Sequence, residues 1–227
     1  MADFGKAWSK LLRAEGGYSN DPVDPGAETI FGISRRSHPL WDGWPLLDEF
    51  KATRLVIPSA AKVEEDFPWT AEHDQELRER ARVYYKERFW NKVAGSEIPD
   101  QGLAEVLFDG AVNMGVFGIS TSFQRALNAL NRDGAAYPMT KADGDIGPDT
   151  LRTYARYLMY EWSGARAGED DRALAVRVKA LPTESVEKAS SVVVGIIRGL
   201  RVSRYIEITE RDPSLRRFLR GWLRRCF

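Results

Sequence analysis

Apolar side chains recur at helical spacing over most of this chain, and two breaks in that period fall in its first third. Phe4, Ala7, Trp8, Leu11 and Leu12 fall at i, i+3, i+4, i+7 and i+8, the stripe of an amphipathic helix, and Gly16-Gly17 ends it just past Glu15. From Tyr18 to Ser34 the period gives way to Asn20, Asp21, Pro22, Pro25, Gly26 and Gly32, all turn formers, which predicts a short β-hairpin or ribbon. The second break runs from about 36 to 70. It holds Pro39, Gly43, Pro45, Pro58 and Pro68 with Trp41, Trp44 and Trp69 and one apolar patch at Leu55 to Ile57, and reads as a loop insertion with little regular structure.

Helical period resumes with Thr70 as a candidate N-cap and runs through Leu77, Ala81, Tyr84, Tyr85 and Phe89 to about Trp90. Further helices are expected at about 101–114, 119–131, 149–162 and 172–180, then a long one over 184–210 and a last over 214–225. The expectation is a mainly α fold with a small β-hairpin and almost no other sheet.

Several functional classes fall away on composition. Thirty-three basic residues balance thirty-three acidic ones among 227, so no overall field marks a nucleic-acid binder, and no nucleic-acid partner is expected. Cys226 is the single cysteine and only His38 and His73 could join it, which excludes a disulfide framework and speaks against a zinc site. Asp3, Lys6, Lys10 and Arg13 interrupt what would be the apolar stretch of a secretion signal. The longest apolar run elsewhere, Val192 to Ile197, is far short of the roughly 20 residues of a membrane span. Synthesis in the cytoplasm without a signal peptide is the expectation.

Chemistry concentrates around the first break. Glu15 closes an apolar-faced helix, where desolvation near the core would raise its pKa and keep it protonated near neutrality. Asp24 follows across a turn-rich ribbon where solvent and backbone amides can keep it ionised, and Thr29 adds a hydroxyl. An acid, a base and a water-positioning group are what glycosidic cleavage needs: one carboxyl protonates the leaving oxygen while the other activates water or stabilises the oxocarbenium-like transition state. The spacing alone equally allows a Glu on the exposed last turn of a helix and an Asp-Pro turn starter.

The string EGGYSNDPVDPGAETIFGIS, Glu15 to Ser34, resembles the signature of the glycoside hydrolase 108 lysozymes, a lysozyme-like family of phage endolysins and bacterial muramidases. Carried over by position, the resemblance implies Glu15 as acid, Asp24 as base or charge stabiliser and Thr29 as water-positioning partner, with Ala27 replacing a usual glycine of the turn. Tyr84 to Trp90 is similar to the family's aromatic helix and Phe108 to Gly115 to its DxAVNMG segment. Phe123 to Asn128, Asp143 to Leu151 and Phe218 to Leu223 look like the LQxALN, DGxxGPxT and FLxGW patterns of an associated peptidoglycan-binding module. What this implies is a lysozyme-like fold whose β-hairpin bears part of the active site. A catalytic region would occupy 1–100, with the insertion at about 36–70, and a helical peptidoglycan-binding-type region 101–227, the two packed as one compact unit. The implied enzyme is a muramidase that cleaves the β-1,4 bond between N-acetylmuramic acid and N-acetylglucosamine without a cofactor, acting on the wall or periplasm after release. A secreted antibacterial effector of the same chemistry and a non-catalytic wall-binding protein are the alternatives.

Other residues carry two readings each. Asp143, Asp145 and Asp149 have neither the glycine nor the glutamate of a calcium loop, and are read instead as a turn, with Pro148 in the first helical turn and Asp149 or Thr150 helping to cap it. Asn113 is either a hydrogen-bonding core residue or a wall of the cleft. Tyr84, Tyr85, Phe89 and Trp90 are core by spacing, with Tyr85 and Trp90 also candidates to line the groove beside Tyr18. Trp41 and Trp44, in a loop that cannot easily build its own core, suit an exposed sugar-stacking pair or a pin for that loop. From Arg198 to Phe227 nine arginines face three acidic residues. Leu215, Phe218, Leu219, Trp222 and Leu223 form one stripe, with Arg216, Arg217, Arg220 and Arg224 off it. That helix docks by its stripe, and its arginines are solvated or touch the anionic envelope. A monomer acting on peptidoglycan glycan strands is the expectation.

Overall fold

The computed structural model describes residues 1–15, 17–20, 28–53, 71–132, 134, 136–164 and 170–227. Contacts divide them into two units, Gly5–Arg88 and Met1–Phe4 with Phe89–Phe227.

The first unit is built on α1 (Phe4–Glu15), a three-stranded sheet and two further helices, α2 (Gly43–Thr53) and α3 (Ala71–Tyr85). Ala7, Trp8 and Leu11 are buried on one face of α1, as their spacing requires. The ribbon forms as an antiparallel sheet in the order β1 (Tyr18–Ser19), β2 (Thr29–Ile30) and β3 (Ile33–Ser34), with Ser19 opposite Thr29 and Ile30 opposite Ile33. Phe31 and Gly32 make the two-residue turn between β2 and β3 at φ 51° and 79°, the positive pair of a type I′ hairpin. A phenylalanine there is strained. Burial and the Tyr85 hydroxyl, which donates to the Phe31 carbonyl at 2.9 Å, hold it in place.

Helix α2 corrects the reading of 36–70 as irregular. Pro45 sits in its first turn, where the missing N–H costs nothing, and Trp44, Leu47 and Phe50 bury one side of it. Thr70 and the patch at Leu55 to Ile57 lie outside the described residues.

A π turn (Lys86–Trp90) follows α3, and in the second unit two short 3₁₀ turns lead to α4 (Gln101–Met114), whose start is capped by the Asp100 carboxylate accepting from the Leu103 amide at 2.6 Å. Then come α5 (Val116–Ala129), α6 (Pro148–Ser163), α7 (Asp171–Lys179), α8 (Thr183–Arg211) and α9 (Arg216–Arg224). Helices α4, α5 and α8 pack on one another through Leu103, Leu107, Ile119, Phe123, Val193 and Ile197, all buried. Pro148 opens α6 as expected, but Gly147 is its N-cap and no side chain caps it, which corrects the role given to Asp149 and Thr150. A mainly α fold with one small antiparallel sheet is what the chain forms. No described helix is long and apolar enough to cross a membrane.

Candidate active site

Glu15 is the last residue of α1, and β1 begins at Tyr18. The Phe31 amide donates to the Gly17 carbonyl at 3.2 Å, so the sheet is tied to the segment that leaves the helix. Thr29, on the central strand and partly exposed, faces Ser19 across the β1–β2 ladder. The Glu15 side chain and the whole of Asp24 lie outside what the structure describes.

Beside Thr29 is a charged cluster that the sequence reading did not single out. Glu28 is buried, and its Oε1 accepts from the Tyr18 hydroxyl at 2.9 Å and pairs with the Lys51 ammonium. Its Oε2 accepts from Arg35 Nε at 2.6 Å. Arg35 then forks onto Asp48 at 3.0 and 2.6 Å and stacks 4.3 Å above the Trp44 ring. Burial pushes the Glu28 carboxyl up, but bonds from Lys51 and Tyr18 and the charges of Lys51 and Arg35 outweigh it, leaving Glu28 below its ordinary value. Burial and the bond to Glu28 drive the Tyr18 phenol far above its own. A local clue was available: Glu28 directly precedes Thr29. Its partners at 18, 35 and 51 follow no local period.

Burial favours one of the two readings given to four aromatics, core for Tyr85 and Trp90 and loop pin for Trp41 and Trp44, over a groove lining. Tyr85 is 2% exposed, packs on Trp8 and spends its hydroxyl on the Phe31 turn. Trp90 is fully buried between Phe4 and Phe108, its indole N–H donating to Ser96 at 2.8 Å. Trp41 and Trp44 meet edge to face at 5.0 Å, both buried, and Trp44 donates to the His38 carbonyl at 2.7 Å. Neither is an exposed stacking platform: α3 supplies the core that their loop lacks, with Tyr84 6.4 Å from Trp41.

Asn113 belongs to the other unit. It is exposed, so the core reading falls; its amide donates to the Asp109 carbonyl and carboxylate at 2.8 and 3.1 Å, leaving its own carbonyl without a partner among the described residues. Asp109 in turn pairs with the buried Arg201 at 2.6 Å. Among the described residues no group of three or more His, Cys, Asp or Glu side chains could hold a metal ion.

Residues 8–115 match the sequence model of the family described as glycosyl hydrolase 108. That match spans 108 of the chain's 227 residues. The glycosyl hydrolase 108 match takes in Glu15, Tyr18, Asp24, Thr29 and Asn113, and it stops at Gly115, the C-cap of α4. No curated protein matches the chain. Among solved structures it is similar to Brucella abortus SagA, with 20% identity, 98% of this chain and 88% of that chain covered, and a TM-score of 0.49.

Beyond the glycosyl hydrolase 108 match, the segments around Gln124 and Asp143 are joined by side-chain amides of α5 and of Asn131 just after it. Gln124 donates to Asp143 Oδ1, the Asp145 carbonyl and Thr150 Oγ1 at 2.8, 2.8 and 3.0 Å, and accepts from the Gly144 amide at 2.9 Å. Asn128 exchanges two bonds with the Thr140 backbone, and Asn131 two with that of Tyr137. Gly144 turns the loop at φ 78°, a conformation that favours glycine.

Proposed function

We propose that this glycosyl hydrolase is a muramidase that cleaves the β-1,4 bond between N-acetylmuramic acid and N-acetylglucosamine in peptidoglycan. Glu15 donates a proton to the leaving oxygen, Asp24 activates water or stabilises the positive charge developing on the sugar ring, and Thr29 orients the water. The observation that carries the reading is the family match over 8–115, which contains all three residues. Their order along the chain supports it: α1 ends at Glu15, and the sheet that follows carries Thr29 on its central strand. The exposed Arg216, Arg217, Arg220 and Arg224 of α9 add electrostatic adhesion to the anionic envelope, since none has a carboxylate partner among the described residues.

The test is digestion of purified peptidoglycan by the full chain, borohydride reduction of the new ends and mass spectrometry. Muramitol ends are expected. Glucosaminitol ends would replace the muramidase by a glucosaminidase, and the absence of any new reducing end would remove the reading.

A further inference from the structure

The sheet that carries Thr29 is too small to hold itself. Each of its three strands has two residues, and so short a ladder leaves the tilt of β2 to whatever grips it from outside. Besides the Tyr85 hydroxyl on the Phe31 turn, one carboxylate grips it. Tyr18 is on β1, Glu28 immediately precedes β2, Arg35 immediately follows β3, and Trp44, Asp48 and Lys51 are on α2; Glu28 joins all four elements directly or through Arg35. The Arg35 amide also donates to the Glu28 carbonyl at 2.8 Å, so backbone and side chain of the same residue are held. Successive side chains leave an extended chain on opposite faces, so a clamp on Glu28 fixes Thr29 from behind.

We propose that Glu28 is a positioning residue for hydrolysis: the Tyr18–Glu28–Arg35–Lys51 cluster sets the orientation of Thr29. The inference rests on the muramidase reading above. At 8% exposure Glu28 is not a surface for the glycan, so its effect falls on the rate and not on substrate binding. With the negative charge removed, Lys51 and Arg35 face each other across the space it occupied and share one remaining carboxylate, Asp48, 2.6 Å from Arg35 and 3.6 Å from Lys51. The strand end shifts to relieve that repulsion. A displacement on the order of 1 Å is enough to cost up to about a hundredfold in rate.

The experiment compares the full wild-type chain with Glu28→Gln, Lys51→Met and the double variant. Glutamine keeps the shape and an acceptor for Tyr18 but not the charge. Glu28→Gln is expected to lower kcat about 10- to 100-fold with KM within about threefold, and the Thr29 methyl signal in NMR to move. Lys51→Met alone is expected to cost only a few-fold. In the double variant the excess cation is gone, so kcat should recover several-fold over Glu28→Gln, a coupling that separates positioning from loss of fold. Wild-type kcat and an unmoved Thr29 methyl in Glu28→Gln would overturn the proposal, as would equal losses of kcat and folded fraction in the single and double variants. Should the wild type release no glycan fragments, the muramidase reading fails by itself. The Thr29 methyl then still decides whether Glu28 sets that strand.

Discussion

Replacing Gln124 by alanine should open the loop between α5 and α6 and little else. Gln124 is 1% exposed and its amide group meets four partners. Its NH₂ has two protons for three acceptors, so one bond is shared. The bond to Asp143 reaches an exposed carboxylate and adds little. Those to the Asp145 carbonyl and Thr150 Oγ1, with the one from the Gly144 amide, are in the packed part of the loop, and at about 1 kcal/mol each they total about 3 kcal/mol. For a chain of this size that is a fall in Tm of about 6 to 12 °C. Calorimetry reads the global change, and hydrogen exchange reads the site: the Gly144 amide, which loses its acceptor, should exchange about a hundredfold faster. Asp143, held below the usual carboxylate range chiefly by the Gln124 amide, should titrate higher in the variant. A Tm within about 2 °C of wild type with Gly144 exchange unchanged would refute the claim that this side chain holds the loop.

The acid behaviour of the sheet follows from Glu28 and Asp48. Both are depressed, Asp48 mainly by its bond from Arg35, so their contribution is complete above the ordinary carboxylate range, near pH 4 to 4.5, and is lost as pH falls through their lower folded values. Glu28→Gln should flatten the acid limb of the Tm-against-pH curve; an unaltered limb would contradict the linkage. Trp222 packs 5.4 Å from Tyr205 but is only partly buried, so Trp222→Ala should destabilise by about 2 kcal/mol in denaturant titration, less than the about 3 to 5 kcal/mol of a fully buried indole. Reversing Arg216, Arg217, Arg220 and Arg224 to Glu should weaken sedimentation with whole envelopes at low salt and leave activity on a soluble glycan nearly unchanged. Wild-type binding insensitive to salt would remove the adhesion.

Periodicity made the helices legible because burial alone writes it. The end of α1 at Glu15 and both ends of α4 were readable, and α5, α6, α7 and α8 begin or end within a few residues of the expected bounds. Helix α2 was hidden because Pro45 and Gly43 look like breakers until their place in the first turn is known. Exposure was the harder quantity. Trp41, Trp44, Tyr85 and Trp90 have the residue types of a sugar platform, but whether an aromatic faces water depends on what packs over it, and for Trp41 that is Tyr84, more than forty positions away. The Glu28 cluster was invisible for the same reason: its partners come together only when α2 folds against the sheet. Glu15 and Thr29 stood out in the sequence as candidates through their motif.

The central claim, that Glu15 supplies the proton for glycosidic cleavage, is tested most directly by the rate at which purified Glu15→Gln releases reducing ends from peptidoglycan. The amide keeps the shape of the side chain and cannot deliver a proton. The account requires a loss of at least about a hundredfold, the scale of general acid catalysis, in a variant whose Tm stays at the wild-type value. Release within a few-fold of wild type would contradict it.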